Sequence, residues 1–256
     1  MSFEFTDLEQ AQSTNGLYMT VVPGIPSPWT EAAKGILHIK NISWSAIRFD
    51  ARDKAMRAWT HSRSAPTLMN EHDSPRSDWL EILHFAESHA PEPALLPEEP
   101  ALQQQALELC KLICAESGLG WNRRLHGVHS GLTGEGGFPE PIAAYLGSKY
   151  GYDPEAGATY SQQVADQLSQ LATVLQQQRS LGQPFYLGNR LTAVDIYSAT
   201  FMAMFKPLPP TECPMLDLIR SAFESVDDRI QQALDPILLE HRDFIYREYL
   251  ELPLKL

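Results

Sequence analysis

The sequence is short of cysteine, of positive charge and of long apolar runs. Its three cysteines, Cys110, Cys114 and Cys213, are an odd number behind no secretory leader. That argues against a disulfide framework and for reduced thiols. No apolar run approaches the ~20 residues of a membrane span, so no membrane partner is expected. Lys and Arg number 20 against 32 Asp and Glu, for a net charge of -12. A nucleic-acid partner needs a basic face, so none is expected. The opening residues, MSFEFTDLEQAQSTNG, are acidic and polar rather than a signal peptide, and the expected location is cytoplasmic. There is no internal repeat and no low-complexity tract. What is present is ordinary for a globular protein: 256 residues, 43% hydrophobic and 20% charged, enough to bury a large core in one or two domains.

The chain is organised around Tyr18–Leu37. Tyr18–Val22 is a short apolar, β-branched run that reads as a buried strand. Pro23, Gly24, Pro26 and Pro28 break it. Ser27 is then an N-cap residue, with Pro28 at the favoured first helical position and Glu31 in the first turn. A helix N-terminus stabilises an anion, so a hydroxyl held there can be a site. From the pattern alone, Ser27 is simply an N-cap.

Residues 1–16 read as a polar extension. Trp44–Phe49 is a second strand and Ala51–His61 a short amphipathic helix. Ser64–Met69 enters a third strand, in which Pro66 fits only at an edge, a start or with a cis bond. His72–Arg76 is turn-like, and a helix runs from Ser77 to about His89. The order strand, helix, strand, helix, strand, turn, helix over residues 17–90 is an α/β unit with a small mixed sheet. Residues 91–100, PEPALLPEEP, contain four prolines and read as a stiff linker. Residues 101–256 read as all-helical. Helices are expected over Ala101–Ser117, around Trp121–Leu125, and over Pro141–Tyr150, Ser161–Leu181, Thr192–Phe205, Met215–Phe223 and Arg229–Leu239. His126–Pro141 is glycine-rich and loop-like, and the tail from His241 has no assigned place. Cys110 and Cys114 share a helix face. A metal or redox pair is one reading, and two small core residues is the favoured one. His126 and His129 read as polar surface, so no metal is expected.

Three stretches resemble the cytosolic glutathione transferase family. They are Ser27-Pro28-Trp29 after the first strand, Ala65-Pro66-Thr67-Leu68 followed by Arg76-Ser77, and Tyr186-Leu187-Gly188-Asn189-Arg190-Leu191-Thr192-Ala193-Val194-Asp195-Ile196. The resemblance implies a thioredoxin-like α/β N-terminal domain followed by an all-helical domain. In the last stretch Thr192 and Asp195 form a capping box flanked by Leu191 and Ile196, which is structural. The implied co-substrate is glutathione, bound by Trp29, Ala65, Pro66, Thr67, Arg76 and Ser77. A cis-proline loop at Ala65-Pro66 and a commonly homodimeric assembly are implied as well. One position departs from the family: Arg76 stands where an acidic residue usually precedes the serine. Arg76 and Ser77 then suit a carboxylate, and Asp78 or Glu71 remains to meet the ammonium group.

The resemblance assigns Ser27 to the stabilisation of a glutathione thiolate, with Thr30 as the fallback hydroxyl. Serine rather than cysteine at 27 favours conjugation of a small electrophile over thiol-disulfide exchange. The electrophile pocket is expected between the domains, with Trp29, Trp121, Arg124 and Tyr145 as candidates for its walls. Trp121 with Arg123-Arg124 is an aromatic-plus-basic cluster that suits an anionic, aromatic substrate or a glutathione carboxylate. An inter-helix or interdomain ion pair explains it equally well. A non-catalytic binding or regulatory protein on the same scaffold is the alternative function.

Overall fold

The structure is a computed structural model that describes residues 3–70 and 73–256. The first part contains β1 (Glu4–Thr6), α1 (Leu8–Ser13), β2 (Tyr18–Val21), α2 (Pro28–Ile39), β3 (Ser45–Arg48), α3 (Lys54–Thr60), β4 (Leu68–Met69) and α4 (Trp79–His89). The strands lie in the order β1-β3-β2-β4. β3 pairs in parallel with both β1 and β2, whereas β4 runs antiparallel to β2, Tyr18 opposite Met69. Every residue of β2 is buried, as befits a central strand covered on both faces.

Residues 3–16 are not a polar extension: Glu4–Thr6 is the edge strand of the sheet and α1 follows it. The mainly polar composition hides an alternation, Phe3 and Phe5, that puts both rings on one face. Phe3 is buried and stacks on Trp44 with ring centroids 4.3 Å apart.

The second part contains α5 (Pro100–Cys114), α6 (Leu119–Thr133), α7 (Glu140–Tyr150), α8 (Gly157–Ser180), α9 (Ala193–Phe201) with a 3-10 turn over Met202–Met204, α10 (Asp217–Glu224), α11 (Asp228–Ala233) and α12 (Pro236–Tyr249). The expected loop from His126 is instead helix as far as Thr133, ending at Gly134 in the left-handed region (φ 77°). Its inner glycines serve close approach. A Cβ at Gly131 would stand 2.1 Å from the Phe138 carbonyl oxygen, and one at Gly120 would stand 2.3 Å from the Phe201 ring. His126 is therefore buried, not surface. The tail also has a place: α12 continues to Tyr249, and Leu250–Leu256 returns along α2, where Lys34 Nζ donates to the Lys255 carbonyl at 2.9 Å.

The core is continuous across both parts and centres on α9, which is buried along its whole length and packs against α2, α5 and α12. At its start Asp195 closes the capping box: Thr192 N and Thr192 Oγ1 both donate to Oδ2 at 2.8 Å. The segment after α4 is fastened rather than loose. Lys40 Nζ donates to the Ala90 and Pro91 carbonyls, Glu87 accepts from Leu95 N at 3.0 Å, and Ala193 N donates to the Leu95 carbonyl at 2.8 Å. The three cysteines are buried, with the Cys110 and Cys114 thiols pushed up by burial. That suits core residues. Among the described residues no group of His, Cys, Asp and Glu forms a metal cage, and no helix is long and apolar enough to cross a membrane.

Candidate functional site

The antiparallel pairing of β2 with β4 brings two segments to one end of the sheet. Thr20 N donates to the Thr67 carbonyl at 3.0 Å, and Thr67 N donates to Thr20 Oγ1 at 2.9 Å. The loop that leaves β2 toward Ser27 and the Ala65-Pro66 peptide that enters β4 therefore share that end. The Ala65-Pro66 bond is cis.

Ser27 is the N-cap of α2 by backbone geometry, but its side chain caps nothing. Its Oγ is half-buried and makes no hydrogen bond among the described residues. A hydroxyl left uncommitted at a helix N-terminus is available to an anion. Thr30, one turn on, is buried at 2% exposure, and its Oγ1 has no partner. It faces packed protein.

The other sequence-predicted residues divide. Ala65 and Pro66 form the cis turn. Thr67 is committed to Thr20 and, through its hydroxyl, to the Ser64 carbonyl at 3.1 Å. Trp29 is a pin between the domains: its Nε1 donates to the Cys114 carbonyl at 2.8 Å, and its ring meets Phe201 edge-on at 4.7 Å. Arg76 pairs with Asp73 at 2.8 Å and lies over the Phe85 ring, while its Nη1 is buried without a partner among the described residues. Ser77 is exposed and does not open α4. The cap is Asp78, whose carboxylate accepts from Leu80 N at 2.8 Å and Glu81 N at 3.4 Å. A short acid side chain one residue closer to the helix takes the first free N–H groups, so that helix end already holds an anion. Glu71 lies outside the described residues.

Among the described residues neither Arg123 nor Arg124 forms an ion pair. Arg123 is buried, and it donates to the carbonyls of Met204 (3.0 Å), Phe223 (2.9 Å) and Ser225 (2.8 Å), holding the α10 end against α6. Arg124 is sandwiched between the Trp29 and Tyr150 rings at 4.3 and 4.2 Å, a cation-π arrangement strengthened by burial.

That sandwich backs a cleft of about 740 Å³ between the two parts. Arg52, Arg57 and Arg63 reach it from α3 and its flanking loops, and Lys149 from the end of α7. Ser64, Trp121, Tyr145 and Tyr150 also line it, and among the described residues no acidic one does. Trp121 and Tyr150 meet edge-on at 5.2 Å. Burial pushes the Tyr150 phenol up, but the Arg124 and Lys149 charges and hydrogen bonds with Lys149 and Ser64 outweigh it, so the group lies below the usual phenol range. Trp29, Trp121, Arg124 and Tyr145 were expected on this wall; Trp121 and Tyr145 line the cleft, whereas Trp29 and Arg124 stand behind it. Tyr150, Ser64, Lys149 and the three arginines were not expected. The available signal was three arginines within twelve residues just before the cis proline, in a chain poor in positive charge.

No family model matches the sequence, and no curated protein matches it. Solved structures do match. A glutathione transferase family member from Pseudomonas fluorescens pf-5, with two glutathione bound, is 14% identical with a TM-score of 0.63, covering 93% of this chain and 94% of that one. A glutathione S-transferase from Methylobacillus flagellatus kt with GSH bound is 12% identical with the same TM-score, covering 91% and 95%. The Tau class MiGSTU from mango, Mangifera indica, is 17% identical at a TM-score of 0.52, covering 90% and 98%. The likeness spans nearly the whole of each chain, and the fold is that of the glutathione transferases.

Proposed function

We propose that this chain, which has the glutathione transferase fold, is a glutathione transferase that uses the thiolate of reduced glutathione against a small electrophile held in the interdomain cleft. The observation that carries the reading is the uncommitted Ser27 hydroxyl at the α2 N-terminus, at the same end of the sheet as the cis Ala65-Pro66 turn. The thiolate is the nucleophile. Lowering a thiol pKa by about two units takes roughly 2.7 kcal/mol. A hydrogen bond to a charged sulfur contributes about 1.5–3 kcal/mol, and a helix N-terminus adds roughly 0.3–1 kcal/mol. Ser27 and α2 together reach that sum without a general base. Ser27 thus stabilises the anion and is not itself the nucleophile. Arg76 and Ser77 are the donors for a glutathione carboxylate, and Asp78 is the acceptor for its ammonium group. A homodimer goes with this reading, and light scattering at twice 28.7 kDa would support it.

The test begins with calorimetric titration of the protein with reduced glutathione, followed by an electrophile screen on wild type and Ser27→Ala. The expected result is micromolar to low-millimolar binding and a loss of about 10- to 100-fold in kcat/KM in the variant, the equivalent of one hydrogen bond to a charge. Unchanged activity in both Ser27→Ala and Thr30→Ala overturns the assignment. One observation favours a second reading, a non-catalytic binding protein: Asp78 already occupies the α4 N-terminus. No glutathione binding at several millimolar would select it.

A further inference from the structure

We propose that the cleft between α3 and helices α6 and α7 is built for a small aromatic molecule bearing at least two anionic groups, carboxylate or sulfonate. Such a molecule would be the second substrate, so the inference rests on the transferase reading above.

The argument begins with charge. The chain carries 32 acidic residues and a net charge of -12, yet among the described residues this cleft is lined by four cations and no acid. Elsewhere about half of the cations are paired, among them Lys34 with Glu31, Lys40 with Glu87, Arg179 with Glu240, Arg242 with Asp243 and Arg247 with Glu248, and the rest do not share a cleft of this kind. Among the described residues Arg52, Arg57, Arg63 and Lys149 form no ion pair, and neither does Arg124 behind them. Like charges left together without counter-charges repel, and walls of one sign focus the field on whatever enters between them. A ligand with one anionic group would leave most of that charge uncompensated. Two or more groups, presented to arginines from one domain and a lysine from the other, match the arrangement.

Shape supplies the second argument. Trp121 and Tyr150 form a right-angled aromatic corner, and Tyr145 is 54% exposed beside it. Exposed rings at a cleft wall offer stacking surface to a planar body. The Arg124 sandwich fixes the ring of Tyr150 from behind. Against the opposing pull of burial, the Arg124 and Lys149 charges and the hydrogen bonds with Lys149 and Ser64 hold the Tyr150 phenol below its usual range.

The experiment is calorimetry on the full chain with three probes of one size: naphthalene-2,6-dicarboxylate, 2-naphthoate and neutral 2-naphthamide. The expected order is dicarboxylate, then naphthoate, then amide, with about tenfold between the first and last and a marked weakening at about 0.2 M salt. The Arg57→Gln/Arg63→Gln variant is expected to lose that preference and keep the amide affinity, and Lys149→Gln, at a half-buried position, is expected to reduce it in part. Equal affinity for all three probes, or an unchanged preference in the double variant, overturns the inference. Reduced glutathione is titrated separately and in the presence of the dicarboxylate. Independent binding of both supports a second-substrate site. Mutual displacement assigns the cations to glutathione and overturns it. Glutathione binding without dicarboxylate binding sinks this inference alone, and the converse sinks the transferase reading and leaves an anion-binding cleft.

Discussion

Asp195 has no exposed surface, and its two oxygens take hydrogen bonds from Tyr186 N, Thr192 N, Thr192 Oγ1 and His241 Nε2. Those donors come from the turn before α9, from its cap and from α12. Asp195→Ala leaves all of them unpaired in a dry interior, and breaking a buried charge network of this kind costs about 3–5 kcal/mol. Urea denaturation is expected to register that loss with no change in the glutathione affinity of whatever fraction folds. His126 acts in the opposite sense, through pH. Burial and the Arg123 charge outweigh Asp227 and lower its pKa from 6.5 to about 4. The unfolded chain therefore binds a proton between those values that the folded chain refuses. The contribution is complete above about pH 6.5 and is lost as pH falls toward 4. It amounts to at most about 3 kcal/mol. Denaturant midpoints at pH 7.5 and 5 are expected to diverge more for the wild type than for His126→Gln, and equal divergence would remove His126 as the cause.

The elements that were legible in the sequence are those whose signals are local. Tyr18–Val21 declared itself by composition, α2 by Ser27-Pro28, and α9 by the three-residue spacing of Thr192 and Asp195. α6 was not legible, because glycine reads as a breaker until its neighbour is known. At Gly131 the neighbour is the Phe138 carbonyl, which leaves no room for a methyl. Gly131→Ala is accordingly expected to lower stability by about 3 kcal/mol in a thermal melt, although alanine favours helix by about 1 kcal/mol. A neutral or stabilising result would mean the Pro139 turn yields easily. β1 was missed for a related reason: three residues carry little pattern, and their partner, β3, lies some forty residues on. The candidate site was legible only in part. Turn chemistry marks Ser27 as an N-cap and Pro66 as a break at a strand entry, and only the resemblance joins them in a site, whereas the cleft needs α3, the loop before Pro66 and the end of α7 to meet, which no local spacing announces.

On the scale of the whole molecule, the two parts share one core through α9 and the Trp29 pin. They are expected to unfold as one unit. Scanning calorimetry should give a single transition with calorimetric and van't Hoff enthalpies in agreement, and two resolved peaks would mean the seam is weaker than its contacts suggest. The pin has a further consequence. Indole emission responds to the polarity around the ring and to its N–H partner, and Trp29 has both fixed by the seam itself: a carbonyl from α5, the edge of Phe201 and the guanidinium of Arg124. The protein thus carries its own optical gauge of domain closure. The difference between wild-type and Trp29→Phe spectra isolates this one fluorophore. A shift of that difference spectrum to longer wavelength would time the entry of water between the domains, with no dye attached.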